Sequence, residues 1–455
     1  MFSSELRSRK REINSDNMSQ IHFKLAGTAA RLRQMSKRMK CFFLCLLFVS
    51  IFIYGNIFWY LMSGNHLTTD SYLETDKCPA CYGHSMCRTL YDNRVKMTGW
   101  STMRFFDMVN RKNVHYAHHA GGKRNIVLKK LGHDKELVDW DERICREAGR
   151  TAPCDVTRMV YRTNTAREIS KIDLQPRHLK GLSFMFMCPT YRLIDYALKR
   201  YKEVVKPDLV LFRDKVQFVA TAMMNSEPLL LQTFPASEGW PFPEYYGACG
   251  RFIAVSDEGR PLQEFYNSPF EKRADLAYQI LKMADLLTTH HQDFVLYWTD
   301  LSYENLAVDS AGKVRIIDAE HIIVVDKKSI SKVRPKGWDD LLESTFDDCG
   351  GKNCLNFNVD GLCSHTHSDH NYYAACRNLL SKFADESAQG MPGGLLHDMP
   401  KYARNDFDLE YLLNECTRPS SSQKRLHVKD DIINALDEIR NLKMEKDPKS
   451  GERES

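Results

Sequence analysis

Three polar residues between positions 300 and 318 have types and spacing that suit phosphate and metal chemistry. Asp300 and Asn305 lie five positions apart in a loop after a long predicted helix, and Asp318 closes a predicted β-hairpin. Because the hairpin folds back on itself, we expect Asp318 to end near Asn305. Amide and carboxylate oxygens are hard ligands that suit Mg²⁺ or Mn²⁺ carrying phosphate. Asp300 is then left as a base, or as the group that positions a hydroxyl.

The order of these three residues resembles the catalytic loop and metal-binding segment of protein kinases. The kinase pattern H-R-D-L-x-x-x-N reads W-T-D-L-S-Y-E-N here, and D-F-G reads D-A-E at Asp318. The resemblance implies that Asn305 and Asp318 hold the metal and that Asp300 is catalytic. A plainer alternative is that these side chains only cap turns. Their order and spacing after an amphipathic helix favour the kinase interpretation.

An upstream predicted strand supplies a candidate cation for phosphate. The letters I-V-L-K that end at Lys129 are similar to the V-A-I-K strand of protein kinases, whose Lys contacts phosphates and pairs with a helix Glu. Lys130 is adjacent, and the motif register selects Lys129. The helix predicted over 133–146 offers Glu136 as the partner, with Glu142 as the alternative.

Several kinase features are missing from the sequence. No G-x-G-x-x-G precedes the strand that ends at Lys129, and no A-P-E follows Asp318. The distance from Lys129 to Asp300 also predicts an insertion around 148–225. These departures keep open the alternative of a pseudokinase that works as a binding or secreted signalling module.

The elements that must position these residues alternate between strand-like and helix-like patterns. Predicted strands cover 114–119, 125–131, 229–234, 251–255, 294–296, 306–308 and 314–317. Predicted helices cover 133–146, 271–290, 370–383 and 428–442. Strands that come first and helices that come later indicate an α+β fold in two lobes.

Composition limits the classes of protein that this chain can represent. It has 455 residues, of which 43% are apolar, enough for one large or two modest globular domains. Residues 1–40 hold ten Lys/Arg against three Asp/Glu, whereas the remainder holds 54 against 56. The folded part is near neutral, so we expect no nucleic-acid partner.

An apolar run without charge covers 41–62, which is long enough to cross a bilayer. A cleaved signal peptide is the alternative, but the run begins late and ends in aromatic residues that suit a membrane interface. Basic residues flank only its N-terminal side, so the positive-inside rule predicts a cytosolic tail over 1–40 and a lumenal remainder. The sequence therefore predicts a single-pass type II membrane protein.

Twelve cysteines follow the apolar run, and an even number in a lumenal setting predicts a disulfide framework. Cys145 and Cys154 are the best candidates for a local pair because Gly149 lets the chain turn back between them. Zinc is the alternative, since Cys78 and Cys81 have ligand spacing and Cys363 precedes a histidine-rich stretch.

Further blocks narrow the resemblance to one family. They are C-P-A-C-Y-G at 78–83, G-W-P-F at 239–242, G-A-C-G-R at 247–251, V-R-I-I-D-A-E at 314–320, F-D-D-C at 346–349, D-H-N-Y-Y at 369–373 and G-G-L-L-H-D at 393–398. Together they resemble the deleted-in-autism branch of the divergent protein kinase domain family over roughly residues 78–440. The resemblance implies a kinase-like fold in the Golgi or ER, with some members released outside the cell.

These observations predict a disulfide-bonded, two-lobed kinase-like protein that transfers phosphoryl groups with ATP and Mg²⁺ or Mn²⁺. We expect a stem over 63–77, an N-lobe over 78–255, a C-lobe over 256–445 and a disordered tail over 446–455. Lys129 and Glu136 would serve the nucleotide together with Asn305. The partner would be a lumenal or extracellular protein substrate or receptor, and nucleotidyl transfer remains a third reading.

Overall fold

The computed structural model describes residues 37–62, 66–102, 113–121, 124–204, 209–346, 355–386 and 391–446. The helix Lys37–Met62 belongs to one unit, and the described residues of 66–101 and from 113 onward form a second, compact unit. The predicted lobe boundary at 255/256 falls within the second unit, at the end of a strand. Residues 1–36 of the predicted basic tail and residues 447–455 of the predicted disordered tail lie outside the described residues, whereas 37–40 and Lys446 are helical.

The apolar run predicted to cross a membrane is helical, because it lies within α1, Lys37–Met62. Cys45 on this helix is a free and exposed thiol. Among the helices of the described residues, however, none is both long enough and apolar enough to cross a bilayer. The membrane span predicted over 41–62 is therefore not confirmed.

The second unit mixes helix and sheet, as predicted. Its strands are β1 Val95–Met97, β2 Val114–His119, β3 Arg124–Lys130, β4 Tyr245–Cys249, β5 Phe252–Ser256, β6 Arg260–Pro261, β7 Phe294–Trp298, β8 Leu306–Val308, β9 Val314–Ile316, β10 Ile322–Asp326, β11 Leu341–Leu342 and β12 His367–Ser368. Its α-helices are α2 Asp70–Leu73, α3 Cys87–Tyr91, α4 Asp134–Glu147, α5 Val156–Met159, α6 Asn164–Ile172, α7 Pro176–Leu179, α8 Tyr191–Arg200, α9 Phe212–Met224, α10 Glu227–Thr233, α11 Phe270–Thr289, α12 Lys327–Val333, α13 Val359–Ser364, α14 His370–Ala375, α15 Lys401–Asn405, α16 Leu409–Thr417 and α17 Lys424–Lys446.

A five-stranded antiparallel sheet has the order β1-β2-β3-β5-β4. Its central strand β3 pairs with β2 on one side and with β5 on the other, so Lys129 lies opposite Val114 and Ile253. The three residues before Lys129, at 126–128, are Ile, Val and Leu and all are buried, which suits a strand in the middle of a sheet. Lys129 thus emerges from a rigid, central element.

The strand predicted over 229–234 is wrong, because 229–233 belong to the helix α10 and Phe234 is its C-cap. All residues of α10 are buried, and an apolar run that is buried on every side has no periodicity to separate strand from helix. Pro228 in the first turn was the usable signal, since proline suits the start of a helix. This correction matters because α10 carries the residue that contacts Lys129.

The helix predicted over 370–383 is also only partly correct. The α-helix α14 ends at Ala375, a π-turn follows over Cys376–Leu380, and a 3₁₀ turn covers Lys382–Glu386. The long helix α11 and the hairpin β8–β9 lie within a few residues of their predicted bounds.

Five disulfides join ten of the twelve cysteines that follow the apolar run: Cys78–Cys81, Cys87–Cys249, Cys145–Cys154, Cys188–Cys363 and Cys376–Cys416. The predicted framework and the predicted local pair Cys145–Cys154 are confirmed. The zinc alternative is wrong for Cys78, Cys81 and Cys363, because their sulfurs are bonded to sulfur and offer no thiolate. Cys349 and Cys354 lie outside the described residues.

Candidate functional site

The hairpin β8–β9 brings the two predicted metal ligands to one place. Leu306 pairs with Ile316 and Val308 pairs with Val314. Beyond the last strand pair, the backbone N–H of Ile317 donates to the carbonyl of Asn305 at 2.9 Å. Asp318 follows directly, so the hairpin returns this carboxylate to the neighbourhood of Asn305, as the sequence predicts.

Asp300 and Asn305 contact each other within the loop before the hairpin. The amide Nδ2 of Asn305 donates to the carboxylate Oδ2 of Asp300 at 3.1 Å and to its carbonyl at 3.2 Å. The amide nitrogen of Asn305 is thereby committed to Asp300, which leaves its oxygen as the atom suited to a cation. The Asp300 side chain is about half exposed, at 47%, so the carboxylate is accessible to an acceptor.

Lys129 forms an ion pair with Glu227, the first residue of α10. Its Nζ lies 2.8 Å from Glu227 Oε1 and 2.5 Å from the carbonyl of Ile317. The Glu227 side chain is only 1% exposed, and that of Lys129 is 12% exposed. The contact to Ile317 also places the ammonium beside the residue that precedes Asp318.

The predicted partners of Lys129 are therefore wrong. Glu136 instead caps its own helix, because its Oε2 accepts the backbone N–H of His133 at 2.7 Å. Glu142 lies 3.8 Å from Arg146 on the helix surface. Both predictions assumed that the helix after β3 supplies the Glu. In the structure the Glu belongs to α10, which follows the insertion.

The motif register chose the correct lysine. Lys130 points away from Glu227 and lies 2.7 Å from both Glu74 and Asp134. Neighbouring residues on a strand face opposite sides of the sheet, so only one of the two lysines can reach the partner on α10. The structure assigns that position to Lys129.

Three carboxylates surround the Lys129 ammonium and shape its electrostatics. Burial disfavours the charged form, but the negative charges of Glu227 and Asp318 outweigh it and raise the pKa of Lys129. Burial raises the pKa of Glu227 to about 7, with Lys129 opposing the shift and Asp318 adding to it. Burial and the charge of Asp318 raise the pKa of Glu320 to about 7. The site thus holds more carboxylate than one ammonium can neutralise.

Glu320, the last residue of the D-A-E segment, makes contacts on two sides. The Asn225 side-chain amide donates to Glu320 Oε2. On the other side, His321 Nδ1 lies 3.5 Å from Glu320 Oε1 and 3.4 Å from Asp300 Oδ2. Glu320 therefore lies between the loop of Asp300 and Asn225, which precedes the first residue of α10 by two positions.

A cavity of about 840 Å³ contains these groups. Lys129, Glu227, Asn305, Asp318 and Glu320 all line it. Its apolar wall comes from the five-stranded sheet, through Val114, Val127 and Val255, and from β8, through Ala307. A volume of this size suits a ligand larger than a metal ion alone.

A tight turn connects the five-stranded sheet to the rest of the cavity wall. The turn runs through Asp257, Glu258 and Gly259, which also line the cavity. Gly259 has φ +88°, and a Cβ there would lie 2.3 Å from the carbonyl oxygen of Val308. Only glycine fits this close approach, so the turn keeps β5 beside the hairpin that carries Asn305.

A buried polar group holds the strand that leads into the Asp300 loop. Asn371 accepts from the backbone N–H of Trp298 at 2.9 Å and donates to the carbonyl of Leu296 at 2.8 Å. The ring Nε2 of His370 lies 3.0 Å from the carbonyl of Trp298. Both side chains are completely buried, so they fix the end of β7 two residues before Asp300.

Sequence reasoning missed Glu227 and Asn225, although a signal existed for the first. Glu227 is a lone acid at the head of the apolar run Pro228–Leu231, and a buried acid in such a run requires a partner. Asn225 and His321 carried no pattern that marks a site. Their roles depend on distances across the fold that no local spacing encodes.

The sequence of this chain is similar to those of proteins with a protein-kinase domain. The family model for the protein-kinase domain of FAM69 matches residues 219–419, which include Glu227, Asp300, Asn305 and Asp318. Divergent protein kinase domain 2A of Xenopus tropicalis is 42% identical over 387 residues, covering 83% of this chain and 90% of the relative. The Homo sapiens protein of the same name is 39% identical and covers 90% of this chain and 98% of the relative. Divergent protein kinase domain 2B of Homo sapiens is 32% identical over 58% of this chain and 63% of the relative. The chain therefore belongs to the divergent protein kinase domain family, and its kinase-like domain is cross-linked by disulfide bonds.

Proposed function

We propose that this protein binds ATP together with Mg²⁺ or Mn²⁺ and transfers a phosphoryl group to a hydroxyl of a protein. The observation that carries the proposal is the ion pair between Lys129 and Glu227 inside the cavity that also contains Asn305 and Asp318. A buried lysine aimed at a cavity and held by a helix carboxylate is the arrangement that protein kinases use to orient phosphates.

The residues present fit a divalent cation. Glu227, Asp318 and Glu320 place three carboxylates around one ammonium, and burial, with a smaller contribution from the charge of Asp318, raises the pKa values of Glu227 and Glu320 to about 7. Asp318 and the amide oxygen of Asn305 supply the hard oxygen atoms that Mg²⁺ and Mn²⁺ prefer. When bound, the cation would neutralise the charge that develops on the transferring phosphate.

Each residue of the site would have a separate role in binding and transfer. Lys129 binds phosphate oxygens, and Glu227 keeps the Lys129 side chain extended toward the cavity. Val114, Val127, Val255 and Ala307 offer apolar surface to the base of the nucleotide. Asp300 accepts a hydrogen bond from the acceptor hydroxyl and orients it for attack. Asn305 fixes the Asp300 carboxylate through the 3.1 Å hydrogen bond.

We also propose that the protein works in the lumen of the Golgi or ER, or outside the cell after release. The supporting observation is the set of five disulfides, since such bonds persist in oxidising compartments. A C-terminal epitope should resist protease added to intact microsomes and become sensitive after detergent. Digestion without detergent would contradict the lumenal location.

Departures from the kinase pattern favour a second candidate, a pseudokinase that acts as a binding or signalling module. Ala319 replaces the usual Phe, and Lys129 already donates to Glu227 and to the Ile317 carbonyl. Such a protein would keep the cavity without turning over ATP. Transfer of the whole nucleotide in place of the phosphoryl group is a third possibility on the same scaffold.

One labelling experiment separates the three functions. Purified protein is incubated with Mn²⁺ and ATP that carries a radioactive phosphate at either the γ or the α position. Phosphoryl transfer labels protein from γ-labelled ATP only, and nucleotidyl transfer labels it from α-labelled ATP only. Binding of ATP without label from either form would support the pseudokinase, and Asp300→Ala should abolish any transfer.

A further inference from the structure

The D-A-E segment replaces an aromatic side chain by polar contacts. In protein kinases the Phe of D-F-G packs to set the active state. Here Ala319 is buried at 2% exposure and has no side chain of that size. The next residue, Glu320, reaches Asn225, whose side-chain amide donates to Glu320 Oε2. In this segment the contact that the structure shows is therefore a directional hydrogen bond from the residue after Ala319.

Asn225 connects this hydrogen bond to the partner of Lys129. Its side-chain oxygen Oδ1 accepts the backbone N–H of Glu227 at 2.8 Å, while its amide nitrogen binds Glu320. Asn225 is 9% exposed, so both bonds are largely shielded from water. A displacement of Glu320 would therefore be transmitted to the start of α10 and to Glu227.

His321 connects the same carboxylate to the acceptor side of the site. Its Nδ1 lies 3.5 Å from Glu320 Oε1 and 3.4 Å from Asp300 Oδ2. The ring packs edge-on against Phe184 with 4.6 Å between centroids, and the His321 carbonyl accepts from Thr299 Oγ1 at 2.5 Å. The ring of His321 is therefore held by Phe184 and its backbone by Thr299, which keeps the imidazole beside Asp300.

We propose that Asn225, Glu320 and His321 form a polar latch that fixes Asp300 relative to the Lys129–Glu227 pair. The three are positioning residues, since each acts through Glu227, Asp318 or Asp300 rather than on the acceptor. The proposal rests on the proposed function for its catalytic consequence, but the latch itself is testable without any activity. Loss of the latch should increase local opening of two segments together, 225–233 and 298–305.

Hydrogen exchange tests the latch in the full chain. Glu320→Ala and His321→Ala should each speed amide exchange in both 225–233 and 298–305, and leave the remote disulfide-bonded segments unchanged. His427→Ala, at an exposed histidine that does not line the cavity, is the matched control and should change neither segment. Faster exchange in only one segment, in all segments or in none would overturn the latch.

Transfer kinetics test the positioning role. His321→Ala should lower kcat by about 100-fold, as expected for a misplaced catalytic group, with the KM for ATP within about twofold of wild type. His321→Asn puts an amide nitrogen near the position of Nδ1 and should restore most of kcat. His321→Gln puts it near Nε2, away from both carboxylates, and should not. Equal rescue by both variants, or a loss confined to KM, would contradict positioning through Nδ1.

A double-mutant cycle closes the test. If Asn225 and His321 act through Glu320, the double variant Asn225→Ala/His321→Ala should lose little more kcat than the worse single variant. Multiplicative losses would overturn a shared latch. A different result is that wild type transfers no phosphoryl group while the latch variants still exchange faster in both segments. That result would refute the proposed function alone, because the exchange result supports the latch independently.

Discussion

Lys129 and Glu227 lie 98 positions apart in the sequence, and their side chains form a buried ion pair at 2.8 Å. The helix that follows the lysine strand, α4, does not supply the partner, which comes instead from α10 after a helical insertion. A single pair thus connects the centre of the five-stranded sheet to the end of the insertion. It also positions the ammonium next to Asp318 through the carbonyl of Ile317.

Removing the partner carboxylate should weaken nucleotide binding. In Glu227→Gln, Lys129 loses a charge-assisted hydrogen bond worth about 1.5–3 kcal/mol, so its side chain is no longer held toward phosphate. We expect the Kd for Mn²⁺-ATP, measured by calorimetry, to rise by roughly 10- to 100-fold.

The matched control is Glu136→Gln, which changes the partner that the sequence predicted. Its capping contact to the His133 N–H needs only an oxygen acceptor, so the variant should bind as wild type does. A larger effect from Glu136→Gln than from Glu227→Gln would contradict the ion-pair assignment.

The sequence was sufficient to predict the hairpin that carries Asn305 and Asp318, because a local turn and two short strands determine their proximity. It was also sufficient for Lys129, through the register of its strand. It could not predict Glu227, because the choice among glutamates depends on which helix packs beside the sheet. The sequence also could not predict Asn225 and His321, since only tertiary contacts give them a role.

Arg251 should be needed for stability. Its side chain is 1% exposed and binds Glu74 at 2.9 Å, Asp141, and the carbonyl of Ala80 at 3.2 Å. Arg251→Met removes the buried counter-charge that Glu74 and Asp141 share, and leaves Glu74 with Lys130 at 2.7 Å and Asp141 with Lys77 at 3.9 Å. We expect a cost of about 3 kcal/mol in unfolding free energy. Urea unfolding measures this, with the exposed Arg88→Met as a control expected to change stability by less than about 0.5 kcal/mol. Equal urea midpoints for Arg251→Met and Arg88→Met would contradict the prediction.

The disulfides should differ in their contribution to stability according to the length of chain they close. Cys188–Cys363 joins residues 175 apart, whereas Cys78–Cys81 joins residues three apart. Loop-closure entropy gives about 5 kcal/mol for the first and about 2 kcal/mol for the second. Paired Cys→Ser variants compared by thermal unfolding should follow this order. The reverse order would show that the loop-length argument fails here.

Acid should destabilise the fold through His370. Burial, with a smaller contribution from the charge of Arg425, lowers the pKa of His370 from 6.5 to about 4, although the hydrogen bond to the Trp298 carbonyl opposes the shift. Because the unfolded histidine binds the proton more readily, its contribution is complete above about pH 6.5 and is lost as the pH falls toward 4. The loss amounts to about 3 kcal/mol.

The variant His370→Gln keeps an atom near Nε2 but cannot gain this charge, so its stability should fall less between pH 6.5 and 4 than that of wild type. His427→Gln, at an exposed position, should retain the wild-type pH dependence. Parallel pH profiles for wild type and His370→Gln would rule out His370 as the titrating group.

The kinase-like reading depends most on whether the cavity binds metal and nucleotide together, and one thermal-shift measurement addresses this directly. Wild type, Asp318→Asn and the control Glu264→Gln, an exposed carboxylate outside the cavity, are heated with ATP in the presence and absence of Mn²⁺. At 100 times its Kd, the ligand should stabilise wild type and the control by about 2.7 kcal/mol, and only when Mn²⁺ is present. Asp318→Asn should lose this stabilisation. A wild-type protein that shows no shift with or without Mn²⁺, and so behaves identically to Asp318→Asn, would contradict the account.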